Sequence, residues 1–323
     1  MMQDIIINYQ ELLFSTQNFH TYAIVDSIRD ERIKEKMVFS ELMYLDLWDD
    51  ELFENEQKVP LYLIQLKKED AFILWLIENH DKHAVTYFQS PYDLETLQAY
   101  YSRYTFPYVE MEAKGYEDEI PRGLFGFYDP KVLPDFMQSL YTQDKREDFF
   151  SGIAVCFSPD VAETNTCHVY YLKQEGVAYR ALDMRKKSSP LNVTAFQKER
   201  FPYLHSEEVP TLDVRQIEIF ERLNHERFVK EVVKDLHKQD LLKESIEETL
   251  PKALHIASYA ITLGIDSQAN SVRFIQLGLS LPKPIESYTQ TKEFIALSKE
   301  EDQLKKRELL QTLLEGLHIE EVA

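Results

Sequence analysis

Glycine is scarce, at 8 residues in a chain of 323. Loops that wrap phosphate groups in backbone N–H need glycine, and no phosphate-loop pattern, G-x-G-x-x-G or G-x-S-x-G stretch occurs. Cysteine is nearly absent as well. The two present, Cys156 and Cys167, form neither a C-x-x-C pair nor a disulfide framework, which suits a reducing compartment. No uninterrupted apolar run approaches the ~20 residues that span a bilayer. The opening "MMQDIIINYQELLF" carries acids and only a short apolar run, unlike a secretory leader. Positive charge is in deficit: 36 Lys and Arg against 56 Asp and Glu give a net charge of −20. A chain of that sign repels phosphate backbones, and basic runs such as Arg185 to Lys187 are short. These absences point to a cytoplasmic protein with no nucleic-acid partner and no membrane insertion.

What is present is apolar and aromatic: 44% hydrophobic residues, with 19 Tyr and 19 Phe, enough for a sizeable core and about two domains. The first half alternates strand-like and helix-like stretches. "TYAIVD" (Thr21 to Asp26), "LYLIQL" (Leu61 to Leu66) and "HAVTYFQS" (His83 to Ser90) read as strands. The charged "RDERIKEKMVF", the apolar Asp70 to His80 and a segment opened by Ser90-Pro91 read as helices. Strand, helix, strand, helix predicts an α/β layer with parallel strands. "YTFPYVEME" and "LFGFYD" read as a hairpin around the acidic loop "AKGYEDEIPRG", and a helix follows from Val132 to Leu140. "FSGIAVCFS", "CHVYYLK" and "VAYRALD" add further strands.

Beyond Pro210 helical periodicity takes over. Asp213 with Gln216 makes a variant capping box, and an apolar stripe runs from Ile217 to Leu236. A second helix is expected from about Pro251 to Leu263, with Gly264 as its left-handed cap. A third is capped by Asp266 or Ser267, and "KEEDQLKKRELLQTLLEGL" forms the last. The expected fold is therefore an α/β N-terminal lobe with a mixed sheet over 1–185, a linker over 186–210 and an all-helical lobe over 211–323.

Candidate chemistry centres on two clusters. In "RGLFGFYDPKVLPDF" Tyr128, Asp129 and Pro130 stand at a junction into a helix. Asp129 is either a catalytic carboxylate or a helix cap. Capping accounts for every residue there, because Asp accepts the orphan N–H groups of a first turn and Pro130 loses nothing at a first helical position. In "DSIRDERI" Asp26, Arg29, Asp30 and Arg32 crowd a strand end, where sites of α/β sheets often form. A structural ion pair or a partner-binding patch fits better than catalysis, since the cluster holds no nucleophile or metal ligand. Arg29 or Arg32 is also a possible partner for Asp129. His80 with His83, and Cys167 with His168, lack the second pair a zinc site needs, so no metal or other cofactor is expected. The abundant Tyr and Phe suit an interface or ordinary strand packing.

Four stretches occur together and in order: "YAIVDSIRDERI", "YLIQL" leading to "FILWLI", "AVTYFQSPYDLETLQAYYSRY", and "LFGFYDPKVLPDF". In this the chain resembles the effector chaperone or adaptor family of bacterial type VI secretion, catalogued as domain of unknown function family 4123. The resemblance spans roughly Phe19 to Leu140. Its most specific pieces are the "YAIVDSxRDxR"-like start and an "R…FYDPxVL" junction carried by Arg122, Phe127, Tyr128, Asp129, Pro130, Val132 and Leu133. The stretch "ALHIASYAITLGIDSQANSVRFIQLGL" fits more loosely, and "VRQIEIFERLNHERF" and "GYEDEI" depart from the family. The resemblance implies a non-enzymatic cytoplasmic adaptor that binds one cognate effector toxin, stabilises it and loads it onto the spike protein VgrG. Asp26, Arg29, Asp30, Arg32, Arg122, Tyr128, Asp129 and Pro130 are then candidates for partner binding. A hydrolase with carboxylates at the strand ends and an immunity protein that neutralises a toxin are the alternatives.

Overall fold

The computed structural model describes residues 2–15, 19–28, 30–47, 61–79, 85–105, 107–110, 125–160, 165–173, 176–187, 208–265, 267–288 and 291–320. The chain divides into two compact units, Met1–Phe220 and Glu221–Ala323. Most of the expected linker, 188–207, lies outside the described residues.

The first unit holds strands β1 (His20–Asp26), β2 (Tyr44–Asp46), β3 (Leu61–Leu66), β4 (Val85–Ser90), β6 (Val155–Pro159), β7 (Thr166–Lys173) and β8 (Gly176–Asp183), in one sheet of order β2-β3-β1-β4-β6-β7-β8. Its helices are α1 (Met2–Leu13), α2 (Arg32–Phe39), α3 (Ala71–Glu78), α4 (Leu94–Thr105), α5 (Leu133–Ser139) and α6 (Gln143–Phe150). The fold class is as expected, an α/β unit followed by a helical one, but every pairing in this sheet is antiparallel. The expected parallel pairing is corrected by one insertion. Strands β3 and β4, joined through α3, do run the same way, yet β1 lies between them and is antiparallel to both. In the same manner β3 separates β1 from β2.

Helices cover both sheet faces, which explains strands that read as nearly continuous apolar runs. On one face Ala23 and Val25 of β1 join Ile33 and Met37 of α2 and Phe72, Ile73 and Leu76 of α3. On the other Tyr22 and Ile24 join Leu97, Tyr100, Tyr101 and Tyr104 of α4 with Phe127, Phe136, Phe149 and Phe150. The second cluster is an aromatic stack. The ring centroids of Phe136 and Phe149 are 4.9 Å apart and edge-to-face, and those of Phe88 and Tyr101 are 5.4 Å apart and stacked. Such pairs contribute about 0.5–1.5 kcal/mol each beyond area burial. Among the described residues, more than half of the Tyr and Phe side chains are buried.

Two local expectations shift. Helix α4 begins three residues after Pro91, because Asp93 is its cap: its Oδ1 accepts the Thr96 N–H at 2.9 Å. The described part of "LFGFYD", Phe125 to Asp129, holds a turn rather than a strand, and the strand before it, β5 (Tyr108–Val109), instead pairs in parallel with β9 (Thr211–Leu212). After β9 comes α7 (Val214–Lys238), within which the unit boundary falls. The capping box expected at its start is present: Asp213 Oδ1 accepts the Gln216 N–H at 2.8 Å, and Gln216 Oε1 accepts the Asp213 N–H at 3.4 Å. The Asp213 carboxyl is held below its usual range. Burial works against this, but the Tyr141 hydroxyl, the Gln216 N–H and the Lys145 ammonium outweigh it.

The second unit is helical: the remainder of α7, α8 (Ile246–Thr262), α9 (Gln268–Ser280), a 3-10 turn (Ile285–Tyr288), α10 (Lys292–Lys299) and α11 (Gln303–Glu320). Helix α8 starts before Pro251, at a capping box of Ser245 and Glu248. It ends where expected. Gly264 has φ +64°, its N–H bonds Ile261 and the Ile265 N–H bonds Ala260, the two bonds of a Schellman motif. Lys306 of α11, almost fully buried, completes that end by donating to the carbonyls of Leu263 (2.8 Å) and Gly264 (2.6 Å). Helices α8 and α9 approach closely at Gly278, where an added Cβ would come within 2.7 Å of the Ile256 side chain. Gly278→Ala is expected to lower the stability of this unit by about 1–3 kcal/mol, the usual cost of overpacking. Chemical denaturation of the full chain checks this, with Ala269→Gly on the same helix as a comparison.

Candidate functional site

One residue of the "DSIRDERI" cluster, Asp26, shares a sheet face with the turn of the other cluster. Side chains alternate along β1, so Asp26 points to the same face as Tyr22 and Ile24. On β4 the residue opposite Ile24 is Thr86, whose hydroxyl donates to the carbonyl of Tyr128. The turn carrying Tyr128, Asp129 and Pro130 is thereby strapped across the sheet two residues along from the position of Asp26.

That turn is built from its own backbone. The Phe125 N–H bonds the carbonyl of Thr105 at the end of α4 (2.8 Å), and the Asp129 N–H bonds Gly126 (2.9 Å). The Asp129 carbonyl then accepts from both Val132 and Leu133 at 2.8 Å. Asp at the first position of a turn and Pro at the second is the favoured chemistry. The Asp129 carboxylate accepts the Lys131 N–H at 2.8 Å. The expected role as a helix cap is refined accordingly. Asp129 fixes the turn ahead of α5, whose own N-cap position, Val132, has no side-chain cap bond. Phe127, Tyr128, Asp129 and Pro130 are all buried.

Asp26 is also buried, and its Oδ1 accepts the Ile28 N–H at 2.9 Å, turning the chain out of β1. Asp30 holds Arg32 twice over: its Oδ1 accepts the Arg32 backbone N–H and Nε, each at 2.9 Å, and its Oδ2 lies 2.5 Å from Nη2. The Arg32 guanidinium and the Lys36 ammonium lie 5.7 and 5.1 Å from the centre of the Trp75 ring. Arg32 is thus committed to Asp30 and Trp75. Arg29 and Arg122 lie outside the described residues, as do His80 and His83. The structure therefore brings Asp26, Tyr128, Asp129 and Pro130 to one sheet face, and ties Asp30 and Arg32 to each other beside α3.

Two clusters escaped the sequence reading. His168 stands between Tyr179, whose hydroxyl is 2.8 Å from Nδ1, and Asp160, whose Oδ2 is 2.9 Å from Nε2. Nothing local signals it, because the three residues come from separate strands or strand ends. The same strand geometry separates Cys167 from His168. Neighbours in a strand face opposite sides, and Cys167 lies in the core on the α3 side with its thiol pushed up to about 12 by burial. The second cluster joins Tyr104 to Asp148, with Arg103 3.7 Å from the carboxylate. Burial raises the Asp148 carboxyl, while the bond from Tyr104 and the charge of Arg103 oppose the rise. Among the described residues no three His, Cys, Asp or Glu side chains gather as a metal-binding group, and no helix is long and apolar enough to cross a membrane.

If Asp129 works through its turn, an oxygen acceptor at that position matters more than charge. Asp129→Asn is expected to keep most of the stability, and Asp129→Ala to lose about 1 kcal/mol more than Asn. Thermal unfolding of the two variants checks this.

Residues 21–147 match the family model described as Domain of unknown function (DUF4123). The match runs from β1 to α6 and contains both sequence clusters. No curated protein and no solved structure matches the chain.

Proposed function

We propose, on the premise that this chain carries a DUF4123 domain over residues 21–147, that it is a non-enzymatic cytoplasmic adaptor of type VI secretion. It binds one cognate effector, stabilises it, and helps to load it onto the spike protein VgrG. The observation that carries this reading is the family match itself, which contains both Asp26 and the turn of Tyr128, Asp129 and Pro130.

The chemistry of that face is compatible with a binding role. The carboxylates of Asp26 and Asp129 accept backbone N–H bonds that fix turns, and Asp30 is bonded to Arg32. A hydrolase reading asks those same groups to exchange protons with a substrate. An adaptor asks them only to hold a surface in shape. The net charge of −20 adds long-range attraction for basic parts of a cargo and raises its rate of encounter. Binding the folded cargo stabilises it by mass action, about 2.7 kcal/mol when the adaptor is present at a hundred times its Kd.

A pull-down of the tagged chain from its native cells, grown so that the secretion system is expressed, tests the proposal. The expected result is one large effector, with or without the spike protein. Recovery of neither contradicts it. Recovery of a toxin whose toxicity is abolished on binding marks an immunity protein instead.

A further inference from the structure

The seven-stranded sheet has two outer strands, and they are unlike. Strand β2 has three residues. Strand β8 has eight, and it pairs with β7 without a bulge, from Thr166 opposite Asp183 to Lys173 opposite Gly176. Among the described residues β7 is its one strand neighbour. The phase of the ladder is fixed at one end, where the Met184 N–H bonds the carbonyl of Asn165 at 2.7 Å. Bonded pairs alternate along an antiparallel ladder, so Leu182, Arg180 and Ala178 turn their backbone groups to β7. Val177, Tyr179 and Ala181 turn theirs away from the sheet. Among the described residues nothing accepts from those three N–H groups. Asp183 also faces outward, and its carbonyl is taken by the Lys186 N–H at 3.0 Å, which closes the edge at that end.

A long outer strand is a template for pairing with another chain, and proteins usually blunt it with a proline, a bulge or a short length. Strand β8 has none of these. Its central residues, Tyr179, Arg180 and Ala181, are exposed. The Tyr179 ring is nonetheless held in place. It stacks on His168 with centroids 5.6 Å apart, its hydroxyl lies 2.8 Å from Nδ1, and it tilts against Tyr170 at 5.4 Å. Asp160 holds His168 from the other side at 2.9 Å. Side chains alternate along the strand, so Val177, Tyr179 and Ala181 share one face and Ala178, Arg180 and Leu182 the other. An added strand would meet a fixed aromatic ring on the first face and one cation between two apolar residues on the second.

Charge narrows the partner. Arg180, Arg185, Lys186 and Lys187 stand at this edge against Asp160, Asp183 and Glu11. Arg185 and Lys186 share Asp183, and Lys187 lies 3.5 Å from Glu11. The edge thus keeps a small positive excess on a chain of net charge −20. Arg180, in the middle of the strand, pairs with no carboxylate among the described residues. A second copy would bring a second Arg180 into the same ladder and set two strongly acidic chains together. An acid on an incoming strand would instead pair with Arg180 across the ladder. We propose that the outer edge of β8 receives an extended, acidic segment of the protein cargo as an eighth strand of the sheet. This deepens the adaptor reading above and rests on it.

Amide hydrogen exchange of the full chain, alone and with the purified effector that it recovers, reads the edge directly. In the free chain the Val177, Tyr179 and Ala181 amides are expected to exchange fast and those of Ala178, Arg180 and Leu182 slowly. With effector bound, the first three are expected to slow by at least about tenfold. Arg180→Glu is expected to unfold at the same temperature as wild type and to bind about fivefold more weakly. Lys230→Glu, the same charge change at an exposed position of α7, should bind within about twofold of wild type. Ala181→Pro removes an outward donor, leaves the bonds to β7, and is expected to weaken binding by at least about tenfold. Outward amides that stay fast in the complex overturn the inference and leave the adaptor reading standing. So do amides already slow in the free chain, which would mean that the chain covers its own edge. Protection that grows with the concentration of the chain alone assigns the edge to a second copy and also overturns the inference. If the wild-type chain recovers no effector, the inference and the adaptor reading fall together.

Discussion

Strand β1 is hydrogen-bonded along both edges, to β3 and to β4, and from Thr21 to Asp26 it is buried on both faces. Such a strand has no solvent side, so a one-residue slip would exchange Ala23 and Val25 with Tyr22 and Ile24 between two differently shaped cores. The α3 side receives small and β-branched residues from β1. The α4 side receives Tyr22 and meets the aromatic stack. Register, layer order and the position of Asp26 all follow from that one placement.

The aromatic side matters most for the candidate site. Burying a Phe or Tyr side chain contributes about 1.5–3 kcal/mol, whereas an exposed ion pair such as Arg32 with Asp30 contributes about 0–1 kcal/mol. The turn at Phe127 to Pro130 is therefore held mainly by packing, and its polar bonds select one geometry among those that packing permits. Phe125 and Phe127 point into the same stack, with centroids 6.5 Å apart, and Phe220 closes it against Phe125 at 5.4 Å. The residues that best identify the family are thus largely interior. They shape the sheet face from within.

How much of this was legible depends on how local each feature is. The Asp213–Gln216 box and the Gly264 cap were readable because each is decided within about five residues. Strands β1, β3 and β4 were readable because double burial leaves an apolar run. Their pairing was not, since a strand–helix–strand pattern fixes the direction of the two strands it joins but not what is inserted between them. "LFGFYD" misled because Phe125 and Phe127 alternate as in a strand, while the deciding bonds, Asp129 to Gly126 and Thr86 to Tyr128, belong to a turn and to a distant strand. Pro251 hid the true start of α8 at Ile246, because a proline is tolerated inside the helix there. The Asp160–His168–Tyr179 chain depends on strand register and leaves no local trace.

In the proposed role, the chain keeps one effector intact until it is loaded. The most direct measurement is the half-life of that effector in native cells with the gene for this chain deleted and then restored, at constant effector transcript. After deletion the effector is expected to be lost faster and not to be secreted, and restoring the wild-type chain is expected to reverse both. An effector that persists and is secreted equally well without this chain would contradict the claim.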